Sequence, residues 1–126
     1  MAGPDLSILN QAGAVITAAM GFLGLAAPRL AARLTGLDGV TPPGRSEFRA
    51  TFGGLFAALG LAPLLSGAPP LYALAGLCWV GAACGRAISI PLDRAATGKN
   101  FAALGFEAVT GALLLAGAPF AALQPA

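Results

Sequence analysis

Long stretches without a charged side chain limit what this chain can fold into more than any other feature. Its seven basic and five acidic residues sit mostly in short patches separated by apolar runs. A hydrocarbon core about 30 Å thick requires about 20 helical residues, and four runs meet that length, at about 8–27, 46–65, 71–90 and 101–118. Composition agrees: 57% of the 126 residues are hydrophobic and 10% are charged, whereas about a quarter of the residues in a soluble domain are charged. A soluble protein of this size needs charge on the outer face of each helix. These runs lack it, so their outer faces are expected to meet lipid. No run alternates strictly between apolar and polar residues, which sets a membrane β-barrel aside.

Prolines and glycines punctuate the junctions. Pro28 stops the first run, and Thr41-Pro42-Pro43-Gly44 precedes the second, for which Ser46 is the expected N-cap. Pro69 and Pro70 open the third run and Pro91 closes it; Asn100 is the expected N-cap of the fourth, which ends before Pro119. The predicted fold is all-α: one membrane domain over 1–126, built as an integral four-helix bundle. The first run reads as a retained span rather than a signal peptide. Asp5 stands where a cationic region would be, and the run exceeds the usual length of about 7–15 residues.

Orientation follows from the cations. Arg29, Arg33, Arg45 and Arg49 flank the first connection, and Arg86, Arg94 and Lys99 flank the third. The positive-inside rule then places those connections in the cytoplasm and both termini on the non-cytoplasmic side. Over residues 29–37, Leu30, Leu34 and Leu37 share one helical face, which predicts an amphipathic segment lying along the interface. Arg29 and Arg33 of this segment, and Arg49 at the start of the second run, are the expected anchors at headgroup level.

Spacing also predicts packing faces. Ser46, Ala50, Gly54, Ala58 and Ala62 form a small-residue stripe expected to face inward, with Phe48, Phe52 and Phe56 facing outward. Gly81, Gly85 and Ser89 form a second expected packing stripe, and Tyr72 is expected in an aromatic belt.

Two ionisable residues lie well inside the apolar runs. Arg86 lies about 9 Å from the middle of the third run and Glu107 about 5 Å from the middle of the fourth, toward the same side. A charge within a span costs roughly 2.5–3.5 kcal/mol, so opposite charges on consecutive helices predict an ion pair. Glu47 falls at the azimuth of Gly54 and Ala58 and is a further expected member, with Trp79 two turns from Arg86 on the third helix. The cluster Glu47, Arg86, Glu107 and Trp79 reads either as structural ion pairing or as the polar floor of a ligand pocket.

Catalytic chemistry finds little support. The chain has no histidine, which removes most metal sites and the usual proton shuttle. Cys78 and Cys84 lie about 120° apart on a helical wheel, which excludes a mutual disulfide and leaves them as expected small apolar fillers. No glycine spacing matches a phosphate-binding loop, and a net charge of +2 gives no support to a nucleic-acid partner. No metal or cofactor is expected.

The stretches GRSEFRATFGGLFAALGL, GRAISIPLD and FEAVTGALLL resemble a family of small four-span bacterial inner-membrane proteins of uncharacterised function. Its pattern matches here at Pro28; at Glu47, Arg49, Ala50, Gly53 and Gly54; at Gly85 and Arg86; and at Glu107. In architecture the chain is loosely similar to DoxX-like membrane proteins, some of which are subunits of redox complexes. The resemblance implies a multi-pass bacterial inner-membrane location and supplies no activity.

The expected function is therefore non-enzymatic: an accessory subunit, or a binder of a lipophilic ligand such as a lipid or quinone. Its expected partners are membrane lipids and either a larger membrane complex or further copies of itself. The alternative is a small oligomeric proton-coupled transporter using an intramembrane carboxylate, like the small multidrug exporters. Those carry their carboxylate in the first span, and here the segment from Ile8 to Pro28 has no charge. An integral-membrane enzyme is the remaining class.

Overall fold

The computed structural model describes residues 7–117 as five helices, with no strand among them. These are α1 (Ser7–Ala26), α2 (Pro28–Leu34), α3 (Pro42–Ser66), α4 (Pro69–Leu92) and α5 (Gly98–Leu115). By length and composition α1, α3 and α4 can each cross a membrane, with a mean hydropathy of 1.5 apiece. Helix α5, which carries Lys99, Asn100 and Glu107, is not among them. Both chain ends, including Asp5 and the expected last residue of the fourth run at 118, lie outside the described residues.

Two helices start earlier than their sequence signals suggest. Thr41 caps α3, its hydroxyl accepting from the Gly44 amide at 3.2 Å, and Ser46 lies a turn inside. Proline at the first helical positions has no amide to leave unpaired, so Pro42 and Pro43 open this helix rather than obstruct it. Thr97, not Asn100, caps α5 by accepting from the Asn100 amide at 3.2 Å. At the far end of α3, Gly67 takes a left-handed conformation with φ of 66° and donates to the Pro63 carbonyl, ending the helix.

Helix α1 is the hub. It packs closely on α3 along one side and on α5 along another, while α4 rests mainly on α5. The α1–α3 seam is made of backbone meeting backbone. A Cβ on Gly21 would run into the amide nitrogen and Cα of Ala57, and one on Gly24 would lie 2.8 Å from the Gly53 nitrogen. From the other side, a Cβ on Gly60 would lie 2.6 Å from the Ala14 carbonyl oxygen.

The expected inward stripe of α3 is therefore displaced by one residue. Gly53, Ala57 and Gly60 are buried, whereas Ala50, Ala58 and Ala62 are exposed, and a Cβ on Gly54 would meet only the Arg49 carbonyl oxygen at 3.7 Å. Two adjacent stripes of small residues run along this helix, and the glycines of α1 select between them. A π-helical segment over Phe48–Leu55 adds to the error, because its wider turn breaks the constant 100° step assumed by a helical wheel. The phenylalanines correct accordingly: Phe48, Phe52 and Phe56 are half-buried, the first pair stacked with ring centroids 5.3 Å apart and the second tilted at 5.2 Å.

Helix α4 also packs on a different face from the one expected. Gly81 and Gly85 have open space where a Cβ would be, while Gly76 lies under Leu115, whose Cγ would be 2.6 Å away. Tyr72 is buried with Ala14, Ala75, Trp79 and Leu114 rather than set in an outer belt. Cys78 and Cys84 are free and exposed, not interior fillers.

One polar side chain ties the ends of α1 and α5 together. The Asn10 amide nitrogen donates to the carbonyls of Leu113, Leu114 and Ala116 at 2.9, 3.0 and 3.0 Å. These lie at the helix C-terminus, where carbonyls run short of intrahelical partners, and Leu113 accepts besides only a long bond from the Ala116 amide at 3.4 Å. Asn10→Ala should cost about 1–3 kcal/mol, the penalty for buried acceptors left without donors. A thermal melt in detergent checks this, and an unchanged midpoint would refute the role.

Candidate functional site

Arg86 projects from the last third of α4 and Glu107 from the middle of α5, and the short connection between these helices brings them face to face. The Arg86 Nε donates to Glu107 Oε1 and Oε2 at 3.0 and 2.9 Å, and Nη2 donates to Oε1 at 2.6 Å. Nη1 donates to the Asn100 Oδ1 at 2.6 Å. Asn100 Nδ2 then donates to the Ala95 carbonyl at 3.0 Å, anchoring the assembly to the connection itself. Glu107 is 7% exposed as a residue, and its side chain is deeper than that of Arg86, at 9% against 25%.

The geometry explains why arginine serves here. A planar guanidinium can grip both carboxylate oxygens and still present a nitrogen to a third group, which a lysine ammonium does less well. All three guanidinium nitrogens are engaged, so the arrangement works as a clasp between α4 and α5. Among the described residues no buried side-chain nitrogen or oxygen lacks a hydrogen-bond partner.

Glu47 does not join this group. It is exposed on α3, and among the described residues the one ion pair within 4.0 Å is Arg86–Glu107. Its expected inward azimuth failed with the stripe on which it was reckoned, since the buried face of α3 carries Gly53 and Ala57 instead.

Trp79 lies on the α4 face of Arg86, about 10 Å away along the axis, and makes a separate polar contact. It is 3% exposed, and its Nε1 donates to the Thr17 hydroxyl at 2.8 Å, which in turn donates to the Gly13 carbonyl at 2.8 Å. Phe56 and Phe106 meet the indole edge-on, with centroids at 5.1 and 5.6 Å. Rings from three helices thus form a continuous row from Phe48 to Phe106.

Sequence reasoning missed three participants. Asn100, the expected cap, is a partner of Arg86. Thr17 and Asn10 carry no charge to make them conspicuous, although Gly13, Thr17 and Gly21 recur every four residues along α1 and mark its packing face. Of the expected anchors, Arg29 and Arg33 are exposed on α2, and Arg49 is exposed on α3 with its Nε donating to the Leu25 carbonyl at 3.0 Å. Lys99 Nζ donates to the Arg33 carbonyl at 2.7 Å, so the first and third connections touch.

A family model described as "Domain of unknown function (DUF4345)" matches residues 6–118, nearly the whole chain. The chain belongs to the DUF4345 family. No curated protein and no solved structure matches it. The DUF4345 match spans the clasp, the Trp79–Thr17 contact and all four arginines of the first connection. Among the described residues of this DUF4345 domain, no three of His, Cys, Asp and Glu come together as a metal site would require.

Proposed function

We propose that this DUF4345 protein is a non-enzymatic, multi-pass protein of a bacterial inner membrane that binds a lipophilic ligand, a lipid or quinone, or serves as an accessory subunit. The observation that carries this reading is the placement of side chains by size. Small residues fill the interior, including Ala14, Ala18, Ala57, Ala73 and Ala75, while Ile8, Val15, Leu55, Leu65 and Leu74 stand outside. A protein in water would reverse this arrangement, and lipid tolerates it because packing rather than water exclusion holds the helices together. With α5 as a fourth span, the Arg86–Glu107 clasp would be the internal pairing that makes its charge tolerable in the bilayer. The meeting of the two cationic connections at one end supports a cytoplasmic location for that end, and hence outside positions for both termini.

A groove of about 360 Å³ opens on the apolar exterior between α4 and α5. Val80, Cys84 and Ala87 line one wall and Leu104, Ala108 and Ala112 the other. It offers an acyl or isoprenoid chain an apolar bed beside the clasp. The transporter alternative is less well supported, because both Glu107 oxygens are held by Arg86 and the carboxylate would have to leave it to carry protons. Extraction into native nanodiscs followed by mass spectrometry tests the reading. Ala108→Phe, which fills the groove from an exposed position, should reduce retained lipid or quinone several-fold. Equal retention in the variant, or substrate flux driven by a pH gradient in liposomes, would sink it.

A further inference from the structure

The cationic end holds a second feature, separate from the groove along α4 and α5. Arg29 and Arg33 of α2 and Arg45 of α3 line two adjoining cavities of about 330 and 520 Å³, and Arg49 joins them in the larger one. Arg29 and Arg33 are four residues apart, as are Arg45 and Arg49, so each helix carries like charges one turn apart, an arrangement that disfavours the fold. No carboxylate relieves it: among the described residues the one ion pair is Arg86–Glu107, although Asp38 and Glu47 are nearby in sequence. Backbone carbonyls instead hold two of the side chains in place. Arg45 Nη1 donates to Val40 at 3.2 Å and Arg49 Nε to Leu25 at 3.0 Å, leaving the other guanidinium nitrogens of each for a ligand.

All four cations are arginine, whose planar donor fork matches phosphate oxygens bidentately and is more weakly hydrated than an ammonium. Ala26, Ala27 and Leu30 form an apolar wall of the larger cavity beside those donors. We infer that Arg29, Arg33, Arg45 and Arg49 form a binding site for a phosphate-bearing anion, carried on a lipid headgroup or free in solution. The bound phosphate supplies the missing counter-charge and ties α2 to α3.

The full-length protein, purified in a zwitterionic detergent, is titrated with dioctanoyl phosphatidylglycerol, with inorganic phosphate and with dioctanoyl phosphatidylcholine, and its melting temperature is followed. Saturable stabilisation is expected from an anionic probe and not from the zwitterionic one. A response to phosphatidylglycerol alone assigns the phosphate to a lipid, and a response to inorganic phosphate as well assigns it to a free anion. Arg29→Gln and Arg45→Gln should each weaken binding about tenfold, the loss of one charge-assisted contact. Arg45→Lys, which keeps the charge, should recover part of it, which a folding defect would not explain. Arg94→Gln removes a cation that lines neither cavity and should leave affinity unchanged. The inference fails if neither anion stabilises the protein, if Arg94→Gln costs as much as Arg45→Gln, or if a folded Arg45→Lys shows no recovery.

Discussion

Gly21→Leu should abolish most of the folded protein, while Gly54→Leu should leave it within about 0.5 kcal/mol of the parent, as surface changes usually do. Both substitutions add the same side chain to a helix, and the difference lies in what it meets. At Gly21 even the first added carbon collides with the Ala57 backbone and comes within 2.8 Å of the Phe56 carbonyl carbon, and backbone cannot rotate aside as a side chain can. Helices α1 and α3 would have to separate along their whole seam. Ordinary overpacking costs about 1–3 kcal/mol when neighbouring side chains can shift, and this site exceeds that range because they are not what is struck. Gly60→Leu should behave like Gly21→Leu, since the Ala14 carbonyl and the Ala18 backbone face it. Monodisperse yield and melting temperature in one detergent would decide the matter. Similar values for Gly21→Leu and Gly54→Leu would show that the seam is misassigned.

Breaking the clasp should be the next most damaging change, with a sign pattern that identifies it. Arg86→Met leaves the deeper partner, Glu107, without its donors, and Glu107→Leu leaves a guanidinium that is still held by Asn100 and a quarter exposed. Removing one member of a buried pair costs about 3–5 kcal/mol because the other charge is stranded. Arg86→Met should therefore approach the upper end of that range and Glu107→Leu the lower. The double variant should be more stable than Arg86→Met alone, with a coupling of about 0.5–3 kcal/mol in a double-mutant cycle. Simple additivity of the two losses would mean that the groups do not stabilise each other, whatever their distance.

The class of the protein was legible in the residues because it rests on local and additive quantities. Helix-length apolar runs, prolines at their junctions and the scarcity of charge imply long apolar helices regardless of how these pack. Arg86 and Glu107 could be singled out for the same reason, since a charge in an apolar run is conspicuous without a structure. Their meeting, the enlistment of Asn100 and the exclusion of Glu47 depend on which helices become neighbours. Adjacent small stripes on α3 differ by only one residue, and the glycines of α1 choose between them by admitting backbone at Ala57 and Gly60. The π-helical turns over Phe48–Leu55 change the azimuth of residues before them relative to those after, so a wheel drawn from the sequence aligns Glu47 with Gly54 and Ala58 at the wrong angle. Sequence alone thus determined the kind of helices and their approximate limits. The facing of each helix, and with it the clasp and the cationic cavities, was decided by tertiary packing, because azimuth depends on partners that lie far away along the chain.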